Sequence, residues 1–142
     1  MRFMILRKAD PETEAGVLPS EELLAAMGKY HEDMVAAGIV RGGEGLHPSS
    51  KGMKVKFQGG KPTIIDGPFA EAKELIAGFT IIEVKSREEA VEWIKKWPAL
   101  DGHGAVELEV RQIFEASDFG AEFTPELRER EERMRQEIAK RS

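Results

Sequence analysis

The stretch Ile76-Ala-Gly-Phe-Thr-Ile-Ile-Glu-Val-Lys85, followed at once by Ser86-Arg-Glu-Glu-Ala-Val-Glu-Trp-Ile94, carries the reading of the fold. Gly78, Thr80, Ile82 and Val84 alternate with Phe79 and Ile81, a period of two that predicts a strand apolar on both faces. Ser86 and Glu89 have capping-box spacing, and Ala90, Val91, Ile94 and Trp97 then recur as one helical face until Pro98 ends it. Downstream, Val106, Leu108 and Val110 alternate with Glu107, Glu109 and Arg111, so Ala105 to Phe114 reads as a closing strand.

Upstream the same order appears once more. Met1 to Arg7 reads as a strand with Phe3 and Ile5 on one face and Met4 and Leu6 on the other. Ala9 to Pro19 holds two prolines and a glycine without periodicity and reads as an exposed loop. Ser20 caps a helix that runs to Gly38, with Leu23, Leu24, Met27, Tyr30, Met34 and Val35 as its apolar face. After Ile39-Val40, the segment Gly42 to Gly52 reads as a glycine-shaped loop. Met53, Val55 and Phe57 alternate with Lys54 and Lys56, and Gly59-Gly60 turns the chain into Pro62 to Asp66, a hairpin. The order strand, helix, strand with an inserted hairpin, strand, helix, strand predicts an α+β, ferredoxin-like domain over residues 1–119. Its sheet has one face covered by helices. The apolar side chains on the other face predict a symmetric homodimer with sheets facing. Residues 120–142 read as a separate charged helix, with Thr124 as cap, Pro125 at its first position and acid-before-base pairs such as Glu129–Arg133.

Composition narrows the chemistry. The 142 residues contain no cysteine, which excludes disulfides, thiol nucleophiles and cysteine-held metals, and the net charge of -5 has the wrong sign for a nucleic-acid binder. Gly43-Glu-Gly45 lacks the third glycine of a dinucleotide fingerprint, and His31-Glu32 lacks the second histidine of a zinc-protease motif. Neither a cofactor nor a metal is expected. The apolar run at the N-terminus is too short for a signal-peptide core or a membrane span, so a cytoplasmic protein is expected.

What remains is carboxylate, imidazole and ammonium chemistry around Asp66-Gly67-Pro68-Phe69. One reading makes Asp66 a turn former whose carboxylate binds nearby backbone N–H groups. The other makes it a base or ligand clamp in a cleft, with Glu71, Lys73 and Glu74 close by. His31 lies on the flank of the first helix's buried face, where an imidazole can shuttle protons. His47, before Pro48, is placed to reach a pocket rim.

Asp66-Gly67-Pro68-Phe69 with Glu71, Lys73-Glu74 and Gly78-Phe79, preceded by Glu44-Gly45-Leu46-His47-Pro48-Ser49-Ser50, resembles the DGPF-type branch of the YCII-related proteins over about residues 1–119. The resemblance implies a dimeric α/β barrel of ferredoxin-like subunits. It also implies a functional link to a sigma factor, because such proteins are frequently encoded beside extracytoplasmic-function sigma factors. In simpler relatives a first-helix histidine and an aspartate are viewed as a dyad; the family histidine aligns near Met27, a turn before His31, whereas Asp66 belongs to the motif itself. Two functions follow as expectations. One is a cofactor-independent enzyme acting on a small organic molecule in a subunit cavity, with Asp66 as general base, His31 as proton shuttle, Lys73 as electrostatic stabiliser, and Gly67, Pro68, Phe69, Glu71, Glu74 and His47 lining the site. The other is a non-catalytic dimeric module that binds a small molecule or a regulatory protein, with the C-terminal helix as a docking arm.

Overall fold

Ile5 and Ile82 are fully buried on neighbouring strands, and the main sheet is built around them. The computed structural model describes residues 1–141. Within the unit Met1–Gln112, strands β1 (Arg2–Lys8), β2 (Val40–Gly45), β5 (Ile76–Glu83) and β6 (Leu108–Gln112) form an antiparallel sheet in the order β2-β5-β1-β6. The register sets Phe3 opposite Ile82 and Ile5 opposite Thr80, all buried. Tyr30 and Met34 of helix α2 (Glu21–Ala36) and Ala90 of helix α3 (Arg87–Ile94) complete the core on that face. Strands β3 (Met53–Gln58) and β4 (Lys61–Asp66) make a separate two-stranded sheet, with Gly59 and Gly60 both at positive φ in its turn. This mixed antiparallel α+β arrangement is compatible with the expected ferredoxin-like plan.

Local expectations are met unevenly. Ser20 and Ser86 cap α2 and α3 through Leu23 N–H and Glu89 N–H. The Glu89 carboxylate, however, takes the Lys85 N–H rather than that of Ser86. Leu24 and Val35 are 58% and 61% exposed, so α2 buries a narrower stripe than its apolar residues suggest. Part of the glycine segment is strand, not loop: a Cβ at Gly43 would lie 2.9 Å from the Phe79 carbonyl oxygen, so β2 pairs with β5 because it lacks a side chain there. The closing strand is shorter than Ala105 to Phe114. His103, between two glycines at positive φ, itself adopts φ 54°, and a turn occupies Asp101–Gly104.

The largest departure is the proline-rich loop. Asp10 and Thr13 cap each other reciprocally and start a short helix, α1 (Pro11–Glu14). Arg7 anchors this segment. Its guanidinium binds Asp101 through two bonds of 3.1 and 2.7 Å, Asp10 at 3.1 Å and the Lys8 carbonyl at 2.8 Å, while Trp97 Nε1 donates to Asp101 at 2.9 Å. The donors face a carboxylate that is nearly water-free, so each bond is charge-assisted and poorly screened.

The second unit, from Ile113 onward, holds helix α4 (Pro125–Arg141), capped by Thr124. Glu129–Arg133, Glu131–Arg135 and Glu137–Arg141 are ion-paired along it, and Phe119 stacks between Phe114 and Phe123. Among the described residues no helix is long and apolar enough to cross a membrane.

Burial alone would raise the Asp101 carboxyl, but the bonds from Arg7 and Trp97 outweigh it and hold the group below its ordinary 3.8. A depressed folded-state value stabilises the fold fully above the unfolded value and ceases to do so as pH falls through the depressed one. Asp101→Asn should therefore cost about 2–3 kcal/mol at pH 7, with a clearly smaller loss at pH 3. Urea titrations at the two pH values check this, and equal losses would contradict it.

Candidate active site around the Asp66 turn

The turn after β4 is held from outside the hairpin. Gly67 N–H donates to the Gly52 carbonyl at 3.0 Å, and Phe69 N–H donates to Ser49 Oγ at 3.0 Å. Ser49 is itself gripped twice by one carboxylate: its N–H donates to Glu14 Oε1 at 3.0 Å and its hydroxyl donates to Glu14 Oε2. The capped helix α1 thus presents Glu14 to the loop that carries Ser49, and Ser49 sets the Phe69 backbone. Gly67 is not at positive φ; glycine is needed because a Cβ there would run into the Ser49 carbonyl oxygen. The Gly67–Pro68 peptide is cis. The Lys54 ammonium lies 4.3 Å from the centre of the Phe69 ring, where the face of an aromatic ring attracts a cation.

Asp66 ends β4 opposite Met53 and is exposed. Among the described residues its carboxylate makes no hydrogen bond and no ion pair. The backbone-binding part expected of a turn-forming aspartate is played by Ser49. Pro68 is exposed and Phe69 half-buried. Glu71, Lys73 and Glu74 are exposed around the short turn Ala72–Glu74, in which Glu74 N–H donates to the Glu71 carbonyl. His31 is half-buried on α2 with its ring centre 6.0 Å from that of Tyr30, and no hydrogen bond or ion pair joins it to Asp66. His47 is exposed, in a loop tied down by Leu46 N–H on the Ala77 carbonyl at 2.8 Å.

The structure therefore brings Asp66, Gly67, Phe69, Lys54, Ser49 and Glu14 into one neighbourhood. The Glu14–Ser49 pair escapes a sequence reading because 35 positions separate the two; Ser49 stands in the block that carries the family resemblance, but Glu14 lies in no motif. Ser49-Ser50 after Pro48 is the one available signal, two small hydroxyl residues in a loop. Two grooves open on the helical side, of about 490 Å³ beside Tyr30 and Trp93 and about 270 Å³ beside Phe3 and Ile94, and neither is lined by Asp66 or His31. No three histidine or acidic side chains cluster as metal ligands among the described residues.

Removing the Ser49 hydroxyl breaks the Phe69 bond and leaves Glu14 Oε2 without its donor, while Oε1 keeps the backbone N–H of position 49. Ser49→Ala should cost about 1–2 kcal/mol and accelerate exchange of the Phe69 amide at least tenfold, with core amides such as Ile5 little changed. Hydrogen exchange followed by NMR checks this; an unchanged Phe69 rate would show that the turn holds itself.

Comparison with known proteins places this chain in a family. A solved structure, 5-chloro-2-hydroxyhydroquinone dehydrochlorinase from Burkholderia phenoliruptrix AC1100 in complex with 2,5-dihydroxybenzoquinone, aligns over 84% of this chain and 100% of its own at 18% identity, with a TM-score of 0.47. An uncharacterised protein of Rhizobium meliloti (strain 1021) is 32% identical over 74 residues, 52% of this chain and 56% of that protein. The match thus spans a little over half the length of that relative. Residues 1–117, which include β1 through β6 and the whole Asp66 turn, match the YCII-related domain. On that match the chain belongs to the YCII-related domain family.

Proposed function

We propose that the protein is a DGPF-type member of this family and a cofactor-independent enzyme that binds a small organic molecule beside the Asp66 turn, with the Asp66 carboxylate as general base. The observation that carries this reading is the division of labour at the turn. Ser49 and Glu14 do the structural work, so the Asp66 carboxylate is exposed, without an internal partner, on a backbone fixed from elsewhere. A carboxylate spent on shaping the turn would have its lone pairs filled; this one has them free for a substrate proton. Lys54, held over Phe69, supplies a positive charge next to the turn, where it favours an anionic substrate or a developing negative charge. Lys73 belongs to the same reading as a second cation. His31 joins it as proton shuttle from α2, on the helix-covered side of the sheet, and two copies associate through their uncovered sheet faces. The cross-strand pairs Met4–Ile81 and Leu6–Phe79, on the sheet face away from the helices, support that association.

A thermal-shift screen of small organic acids, phenols and quinones against the wild-type protein supplies a ligand. Asp66→Asn should leave the unfolding free energy within about 0.5 kcal/mol of wild type, since no internal bond is lost, and weaken binding of that ligand at least tenfold. Unchanged affinity in Asp66→Asn, or a loss of stability above about 1 kcal/mol with affinity retained, contradicts the catalytic reading.

A further inference from the structure

The β3–β4 hairpin is exposed along its whole length, and its two faces differ sharply. The register puts Val55 opposite Ile64, Met53 opposite Asp66 and Phe57 opposite Pro62, so Met53, Val55, Phe57 and Ile64 share one face. Their exposures are 59%, 49%, 69% and 64%. Lys54, Lys56 and Lys61 alternate onto the other face, which also carries Ile65, while Asp66 ends the apolar face beside Met53. A two-stranded sheet standing alone is marginal in water, and four large apolar side chains on one face of it are costly unless something covers them.

The charge distribution says what that is. Residues 51–65 carry Lys51, Lys54, Lys56 and Lys61 and no acid, a local charge of +4 in a chain whose net charge is -5, so the remainder carries -9. Two hairpins laid face to face would bring +4 against +4. A hairpin laid on the body of another copy, residues 1–50 and 66–112, brings +4 against -7, which favours approach and suppresses the hairpin-on-hairpin alternative.

We infer that the β3–β4 hairpin is an intermolecular arm: its apolar face packs on the acidic main body of a second copy of this chain, with the lysines of its opposite face steering the approach. The inference rests on the association of two copies proposed above. Because Asp66 and the Ser49-held turn lie at the arm's base, the arm brings the candidate site to the subunit boundary. The two strands are short and joined by one tight turn, so substitutions on their exposed faces leave the core of Phe3, Ile5, Met34 and Ile82 untouched.

The chain has no cysteine, so a single Phe57→Cys carries one benzophenone-maleimide probe on the arm. An equal mixture of ¹⁴N- and ¹⁵N-labelled protein is irradiated and the cross-linked peptides are read by mass spectrometry. Mixed-isotope cross-links from the arm to residues 1–50 or 67–112 are expected. In parallel, light scattering should give twice 15.8 kDa for wild type, and Val55→Asp with Ile64→Asp should raise the dimer dissociation constant at least a hundredfold while leaving circular dichroism unchanged. High salt should weaken the wild-type dimer. A monomeric wild type overturns both the association and the arm. A dimer indifferent to the double substitution overturns the arm alone, as do cross-links confined to one isotope or to a second hairpin.

Discussion

Glu14 holds Ser49 by both its backbone N–H and its hydroxyl, and the placement of the Asp66 turn depends on that grip. A serine hydroxyl has one proton to give and lone pairs to receive with. Here the proton goes to Glu14 and a lone pair takes the Phe69 N–H, so one small side chain couples the N-terminal segment, the glycine-rich loop and the β4 turn. Glu14 is available for this because α1 exists. That helix is four residues long and would not form by propensity alone. It is nucleated by the reciprocal Asp10–Thr13 cap, and Asp10 is in turn fixed by Arg7, whose guanidinium is committed to Asp101. From the sheet to the Phe69 backbone the bonds run Asp101–Arg7–Asp10–Thr13 and then Glu14–Ser49, and the innermost of these groups, Arg7 and Asp101, have little access to water.

This arrangement leaves the acid at the end of the chain of contacts uncommitted. The same carboxylate, had it capped its own turn, would be an ordinary turn former. Freed by Ser49, it sits on a fixed backbone, three residues before the Phe69 ring that holds the Lys54 ammonium. On the reading of Asp66 proposed above, preorganisation of this kind places the cost of ordering the carboxylate in folding rather than in ligand binding. It also explains why the glycine of the motif is needed. The obstacle at Gly67 is the Ser49 carbonyl, a feature of a distant loop rather than of the local φ and ψ.

Much of the scaffold was legible from periodicity. The two-residue alternation of Ile76 to Glu83 and the paired glycines of the hairpin turn report local physics, and the structure follows them. The serine caps at Ser20 and Ser86 were equally readable. The misreadings have a common cause. Leu24 and Val35 are apolar but exposed, Gly43 lies in a strand because Phe79 and Thr80 crowd it, and the segment after Ala9 folds because Arg7 and Asp101, 94 positions apart, meet. Tertiary contacts decide the first two, and no window of sequence contains them; at the third they add to a local signal, the Asp10–Thr13 cap with Pro11 opening the helix. The candidate site divides the same way. Asp66 and its neighbours announce themselves through turn chemistry, whereas Glu14 and Ser49 acquire meaning only when the fold joins them. The hairpin lies between these cases, since its alternation is plain in sequence but its isolation from the main sheet is not.

A high-resolution crystal structure of the unliganded protein tests the central claim most directly, because it fixes which oxygen accepts the Phe69 N–H. The expected result is Ser49 Oγ about 3.0 Å from Phe69 N, with the Glu14 carboxylate on Ser49 and the Asp66 oxygens bound to nothing but solvent. An Asp66 oxygen accepting the Phe69 N–H, or any other N–H of the turn, would contradict it and return the acid to a purely structural part.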